Sequence, residues 1–439
     1  MNFSFFSPVE IIFGQGVSKN IAGYIPSLYS KNKNIVCSDF ASKFEVKTKS
    51  KIEKALVITG KNKGRAGEVI NSLKRSGISC ELFVQPSEPS IDDIINGVEL
   101  ARKSEVDFVV AIGGGSVIDA GKAIAALTTN TDNIMKYLEV IGDGVPLSEK
   151  PLPMIAIPTT SGTGAEVTSN AVISSDKHQV KVSLRSNMMY PDIAIIDPEL
   201  TIFASPEITA TTGMDALTQL IESFTSKFAN PITDALSQEG IRRVARSFKK
   251  AYSEPLNIEA RSDMSFAAML SGITLSNAKL GAVHGIAGPM GGMVNAPHGL
   301  LCASLLGPVI SANVRVANDI AINQNQNNLV NNHVSSNQEF QIIGEDIKIT
   351  LNKYSKIAQI LTNNTGLVEC NDLINYINEL LHHLKIKEIS SKALPKFELS
   401  QIELIAQKSK DSSSMKGNPV TLSFNQIKNI IEQSFFSKI

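Results

Sequence analysis

VDFVVAIGGGSVIDAGKAIA, Val106–Ala125, decides the fold. Val106–Ile112 is an apolar run of strand length, and it passes directly into Gly113, Gly114, Gly115 and Ser116. Helix-spaced apolar residues follow from Val117. A buried strand, a turn without side chains and a helix start form the repeating unit of a parallel α/β sheet. The glycines let backbone N–H groups approach a ligand closely, and a helix N-terminus favours a phosphate. Ser116 is the expected N-cap, with Asp119 three residues on at capping-box spacing. A purely structural tight turn is the alternative; the strand before and the helix after argue for phosphate binding.

The same alternation extends to both sides. ALVIT (Ala55–Thr59) is a short buried strand ending at Gly60, Arg65–Ser76 is helix-spaced, SCELFV (Ser79–Val84) is strand-like, and Ile91–Lys103 is helical again. Downstream, PMIAI (Pro153–Ile157) is the next strand. It runs into a second loop, Pro158–Glu166, rich in hydroxyls and glycine: Thr159, Thr160, Ser161, Gly162, Thr163, Gly164. Loops at the C-terminal ends of strands are where open α/β sheets bind ligands. A threonine turn capping a helix is the alternative for this second loop.

From Pro206 the periodicity is helical, over Glu207–Ser226, Ala235–Ala251, Ala260–Asn277, Lys348–Asn363, Asn371–Leu384 and Asn425–Ser437. The expected architecture is an α/β dinucleotide-binding domain at 1–200, with a mostly parallel doubly wound sheet. An all-α domain follows at 201–439. Lys31–Lys54 and Asn318–Ile343 read as insertions. The second contains NQNQNNLVNNH and reads as a polar low-complexity surface loop, with His333 solvated.

Composition narrows the function classes. Forty-two basic side chains balance 42 acidic ones among 439 residues, so no global field draws nucleic acid or an anionic membrane. The four cysteines, Cys37, Cys80, Cys302 and Cys370, lie far apart, which argues against a disulfide framework and a cysteine-built zinc site. No uninterrupted apolar run approaches the ~18 residues of a membrane helix, and the N-terminus does not read as a signal peptide. The expectation is a cytoplasmic, soluble protein.

In the helical half, Asp215 and Gln219 stand at i and i+4 and share a helix face. His284 in GAVHGIAGP and His298 in NAPHGL each precede a glycine. A carboxylate with two imidazoles suits a divalent metal such as iron, zinc or manganese, although by spacing alone the three could be unrelated. His178, His382 and His383 have no comparable setting.

These residues also carry a resemblance. FSPVEIIFGQG, AIGGGSVIDAGKAIA, IPTTSGTGAEVT, DPEL, TGMDALTQLIE, GAVHGIAGPMGG, APHG and SSMKGNPV occur in the order seen in the iron-containing (group III) alcohol dehydrogenases. Apart from the two insertions, the resemblance covers nearly the whole chain. It implies NAD- or NADP-dependent interconversion of a small alcohol and its aldehyde or ketone, with a divalent metal, Fe²⁺ or Zn²⁺, polarising the substrate oxygen. Gly113–Ser116 and Asp119 match the family's pyrophosphate loop, and Thr159, Thr160 and Thr163 its second cofactor loop. Asp215, His284 and His298 match three of four metal ligands, with His284 also in the catalytic set. Asn170 and Lys181 match polar positions facing cofactor and substrate. The expected partners are a small-molecule substrate and a second copy of the chain in a homodimer, with no nucleic acid and no membrane.

Three departures stand out. Gln219 occupies the place of the fourth metal ligand, a histidine in the family, and its amide oxygen is a weaker ligand. Gly288 replaces a second histidine near the substrate. Gly60 ends the first strand where NAD-preferring members carry an aspartate, and Lys61, Lys63 and Arg65 follow. With the repelling carboxylate gone and cations near, a 2′-phosphate is acceptable, so NADP is expected to serve at least as well as NAD. The rival readings are a metal-independent reductase of the maleylacetate reductase type and a nucleotide-binding protein without turnover. A dehydroquinate-synthase-like or glycerol-dehydrogenase-like enzyme shares the broad architecture, but TTSGTGAE, APHG and SSMKGNPV favour the alcohol dehydrogenases.

Overall fold

Short runs of β-branched and aliphatic residues, buried on both faces, pair as parallel strands because helices cover each side. The computed structural model describes residues 2–28, 52–178, 180–294, 296–330, 338–394 and 398–436, and the backbone alone at 323–330 and 338–345. The chain divides into two units, Ser7–Ala204 and Met1–Phe6 with Ser205–Ile439.

The first unit carries a six-stranded sheet. Its strands are β1 (Glu10–Phe13), β2 (Lys54–Thr59), β3 (Ser79–Val84), β4 (Phe108–Gly113), β5 (Met154–Pro158) and β8 (Ile193–Ile196), in the order β1-β8-β5-β4-β2-β3. Every pairing in it is parallel. Alternation divides β4 between two cores. Val109 and Ala111 pack with the helices Ile91–Lys103 and Gly115–Thr129, while Phe108, Val110 and Ile112 pack with the helix Gly67–Arg75. Helices on both faces make the sheet doubly wound. The chain runs outward from β2 to β3 and then crosses back to β4 on the other side of β2, so the switch point of the topology lies between β2 and β4. A feature absent from the sequence reading is the antiparallel hairpin of β6 (Asn170–Ser175) and β7 (Val180–Arg185), a separate two-stranded sheet.

Among its described residues, the second unit has helices and no strand. Its helices are Pro206–Thr225, Pro231–Ser253, Ile258–Ala278, Ala282–Val294, His298–Val330, Gln338–Thr362, Cys370–His383, Ile386–Ala393, Leu399–Lys410 and Phe424–Phe435. Pro206–Thr225 is buried along most of its length and packs against Pro231–Ser253, Ile258–Ala278 and His298–Val330.

Three expectations need correction or bounding. The polar run Asn318–Ile343 is not a loop in its described part. Backbone 318–330 continues the helix His298–Val330, and 338–343 opens the next helix. An apolar segment nucleates the helix, and propagation into polar residues then costs little because each adds its own backbone hydrogen bond. His333 lies outside the described residues, as does all of the Lys31–Lys54 segment except Ile52–Lys54; Lys54 opens β2. Finally, His298–Ile322 is long and apolar enough by length and composition to cross a membrane, yet 61% of that window is buried within the protein. Its interspersed glycine and serine broke the apolar run, yet its mean hydropathy stays high at 1.6.

Candidate nucleotide loops and metal centre

At the C-terminal edge of the sheet, the expected cofactor residues come together. Gly113 pairs with Pro158, and Thr159 N–H donates to Gly113 O at 2.9 Å. The glycine turn therefore lies against the threonine loop. Gly115 is required by that approach, because a Cβ there would sit 2.8 Å from Thr163 Oγ1 and 3.0 Å from Thr163 Cγ2. Thr160 stands beside Gly114, with Oγ1 3.4 Å from its Cβ position. Gly60 follows β2, which pairs with β4, so Gly60 and Gly113 flank the switch point.

The helix start differs from expectation. Gly114, not Ser116, is the N-cap of Gly115–Thr129, with no side-chain cap. Asp119 is drawn away: it accepts from Val172 N–H at 3.0 Å and pairs with Lys122 Nζ at 2.9 Å. The Lys122 side chain has no exposed surface and also donates to Ala165 O and Thr168 Oγ1, each at 3.0 Å. A buried ammonium needs a counter-charge more than a solvated helix end needs a cap. Under the threonine loop, Glu166 is buried as well, and loss of solvation pushes its carboxyl up to about 7 against the pull of its own backbone N–H and of Lys122.

The hairpin carries Asn170, opposite Arg185, and Lys181, opposite Ser174. Lys181 Nζ makes an ion pair with Glu88 Oε2 at 2.6 Å.

Three helices of the second unit bring together Asp215, His284, His298 and Cys302, whose ligand atoms all lie within 4.8 Å of one another. Asp215 Oδ1 is 3.2 Å from His284 Nε2 and 3.7 Å from His298 Nε2. Cys302 Sγ is 3.8 Å from His284 Nε2 and 3.6 Å from His298 Nε2. Gly299 permits this approach, since a Cβ there would lie 2.2 Å from Thr211 O and 3.5 Å from Asp215 Cβ.

Glu222, two turns beyond Asp215, completes the arrangement. It accepts from Val283 N–H at 2.6 Å and pairs with His284 Nδ1 at 2.7 Å. That pairing takes up Nδ1 and turns Nε2 toward Asp215, where a bound ion would take the place of the Nε2 proton. Burial pushes Asp215 up, but the hydrogen bond from His284 and the charges of His298 and His284 outweigh it and hold the carboxyl below its ordinary value. Burial likewise opposes charge on His284, and Cys302, Asp215 and Glu222 overcome it, holding the imidazole well above its ordinary range.

A carboxylate, two imidazoles and a carboxylate behind one imidazole fit a divalent transition metal. Gln219 is buried on the Asp215 helix, and its Oε1 accepts from Ser271 Oγ at 2.6 Å. At Gly288 nothing lies within 4 Å of a Cβ position, so the place of the second histidine is open space. The sequence reading missed Cys302 and Glu222. Both have a helical signal: Cys302 is i+4 from His298, and Glu222 follows Asp215 at i+7, with Gln219 between them on one face.

A nucleotide-type sheet with ligand loops at its switch point, and a helical unit holding a buried metal-type cluster, fit an enzyme that uses a nucleotide and a metal ion. Known proteins make this specific. The iron-containing alcohol dehydrogenase family matches residues 41–198, and the Fe-containing alcohol dehydrogenase family C-terminal region matches residues 209–435. Choline dehydrogenase of Bacillus subtilis is 38% identical over 267 residues, 60% of this chain and 66% of that protein, just under two thirds of its length. NADPH-dependent butanol dehydrogenase of Clostridium saccharobutylicum is 31% identical over 88% of this chain and 92% of its own. The crystal structure of 1,3-propanediol oxidoreductase superposes with a TM-score of 0.80 at 26% identity, covering 99% of this chain and 100% of that one. The chain belongs to the iron-containing alcohol dehydrogenase family. It is an oxidoreductase of alcohols and their carbonyl counterparts, acting on CH–OH donors with a nicotinamide nucleotide.

Proposed function

We propose that the chain interconverts a small alcohol and its aldehyde, accepts NADP(H) at least as well as NAD(H), and holds iron or zinc on Asp215, His284 and His298. The observation that carries the reading is the buried cluster with Glu222 behind it: Glu222 holds His284 through Nδ1 and leaves Nε2 as donor. A divalent metal bound there would act as a Lewis acid on the substrate oxygen. The nicotinamide supplies the hydride chemistry, and the protein supplies position and electrostatics.

The uncapped helix start at Gly114–Ser116 and the hydroxyls of Thr159, Thr160 and Thr163 are assigned to the nucleotide's phosphates. Asp119 is assigned an indirect role, tying the glycine helix to the hairpin through Val172 N–H and pairing with Lys122 on its own helix. Asn170 and Lys181 are assigned as polar contacts on the substrate side. Acceptance of NADP follows from Gly60 and the exposed Lys61 and Lys63 beyond it; the third cation, Arg65, is partly engaged by Phe203 O at 3.2 Å. The names of the butanol and propanediol relatives support a small alcohol as substrate.

Against a metal-independent reaction stands Lys181. Its ammonium is matched by Glu88 at 2.6 Å, which makes it a poor sole electrophile for a carbonyl oxygen.

An aldehyde panel assayed with NADH and NADPH, with elemental analysis of the same preparation, tests the reading. Turnover with small aldehydes that is lost in His284→Ala and on chelation is the expected result. Activity indifferent to both changes would sink the metal assignment, and a kcat/KM ratio strongly favouring NAD would sink the cofactor assignment.

A further inference from the structure

The geometry points to Cys302 as the fourth protein donor of the metal centre, in place of the residue one turn after Asp215; this rests on the reading that Asp215, His284 and His298 hold a divalent cation. Gln219, at that position, spends its amide oxygen on Ser271 Oγ at 2.6 Å. Cys302 instead stands one turn after His298 on the same helix, fully buried, with Sγ at 3.8 and 3.6 Å from the two Nε2 atoms.

The distances suit a shared ion. With bonds of about 2.0–2.1 Å to nitrogen or oxygen and about 2.3 Å to sulfur, a tetrahedron has edges of about 3.3 Å and, to sulfur, about 3.6 Å. The oxygen–nitrogen separations are 3.2 and 3.7 Å and the sulfur–nitrogen separations 3.8 and 3.6 Å, all close to those edges. Ordinary sulfur–nitrogen contact falls in the same range, so the weight rests on Sγ reaching both Nε2 atoms at once, with all four ligand atoms within 4.8 Å of one another. Thiolate is also the donor that shifts preference toward a borderline-soft cation such as zinc or cobalt and away from magnesium or manganese.

Cobalt(II) added under anaerobic conditions to metal-free full-length protein decides the matter without an activity assay. Wild type is expected to bind one equivalent, with the visible bands of a low-coordinate ion and an intense near-ultraviolet sulfur-to-cobalt charge-transfer band. Cys302→Ser is expected to keep the visible bands and lose the charge-transfer band. Its zinc affinity should drop at least about tenfold, since even outer partners of metal ligands are worth 10–100-fold. Cobalt bound by wild type without the charge-transfer band, or a variant spectrum that retains it, overturns the Cys302 assignment and leaves the other three ligands standing. No cobalt binding in wild type overturns the metal reading itself and the assignment with it. Should Cys302→Ser fail to fold by circular dichroism, the wild-type spectrum alone decides.

Discussion

Glu166→Gln should make the protein less sensitive to alkaline pH. Glu166 lies in the turn Ala165–Val167 beneath the threonine loop, and burial pushes its carboxyl from 4.5 up to about 7. The folded chain therefore holds this proton more tightly than the unfolded chain does. Below about pH 4.5 the group is neutral in both states and costs nothing. As pH rises toward 7, the unfolded chain ionises freely and the folded chain resists, so stability falls; above about 7 the loss is complete. At about 1.4 kcal/mol per pH unit, the rise corresponds to about 3 kcal/mol. Glutamine keeps the shape without a proton to lose. Any change in hydrogen bonding that it causes shifts stability equally at every pH, so the pH dependence is the diagnostic.

Urea unfolding followed by circular dichroism at about pH 5, 7 and 8.5 reads the difference directly. The variant should gain on wild type as pH rises, from under about 1 kcal/mol near pH 5 to about 3 kcal/mol near pH 8.5. A difference that stays flat would refute the burial argument. Wild type gaining on the variant at high pH would mean that attraction to Lys122, fully buried nearby, outweighs desolvation.

The other predictions concern close approach and orientation. Gly299→Ala places a Cβ 2.2 Å from Thr211 O; with backbone on both sides, it should cost about 1–3 kcal/mol or more and lower the metal content together, and an unchanged melting curve would contradict the contact. Gly115→Ala puts a methyl against Thr163 Oγ1 at 2.8 Å and should weaken NADPH binding about tenfold, or about 1.4 kcal/mol, in a fluorescence titration. Unaltered binding would mean that the glycine turn serves only the fold. Glu222→Gln should weaken zinc about 10–100-fold in chelator competition, and an unaltered affinity would remove its orienting role on His284.

Legibility differed between the two units for physical reasons. Strands β2, β4 and β5 stood out because a strand covered on both faces must be apolar throughout, as Phe108–Gly113 is. The strand Ile193–Ile196 is equally apolar but only four residues long, too short to show a period. The hairpin Asn170–Arg185 alternates polar and apolar residues and lacks a strong turn signal. Among the helices, Ala282–Val294 carries four glycines and Pro289; burial overrides propensity there. In the metal centre, the glycine-flanked histidines were visible, but a cysteine read only as half of a cysteine pair was not. Cys302 becomes visible once His298 and the residue four positions on are placed on one helix.

The segment Ser413–Val420 shows why a motif can belong to a site without supplying a ligand. Asn418 is buried and accepts from Ala282 N–H through Oδ1 at 3.1 Å, while its Nδ2 donates to Asn313 Oδ1 and to Val420 O, each at 2.8 Å. Glu222 accepts from the next amide, Val283 N–H. The two first-turn N–H groups of the helix that carries His284 thus have side-chain acceptors from distant parts of the chain. A buried helix start without them would leave orphan donors, at a cost of about 1–3 kcal/mol each. Neither acceptor can move without shifting Ala282–Val283, and His284 follows immediately. The imidazole is fixed from two directions, by its own bond to Glu222 and by the anchoring of the turn it stands on. The spacing of the cluster is therefore a property of the Asp215 helix and the Asn418 segment as much as of the histidines themselves.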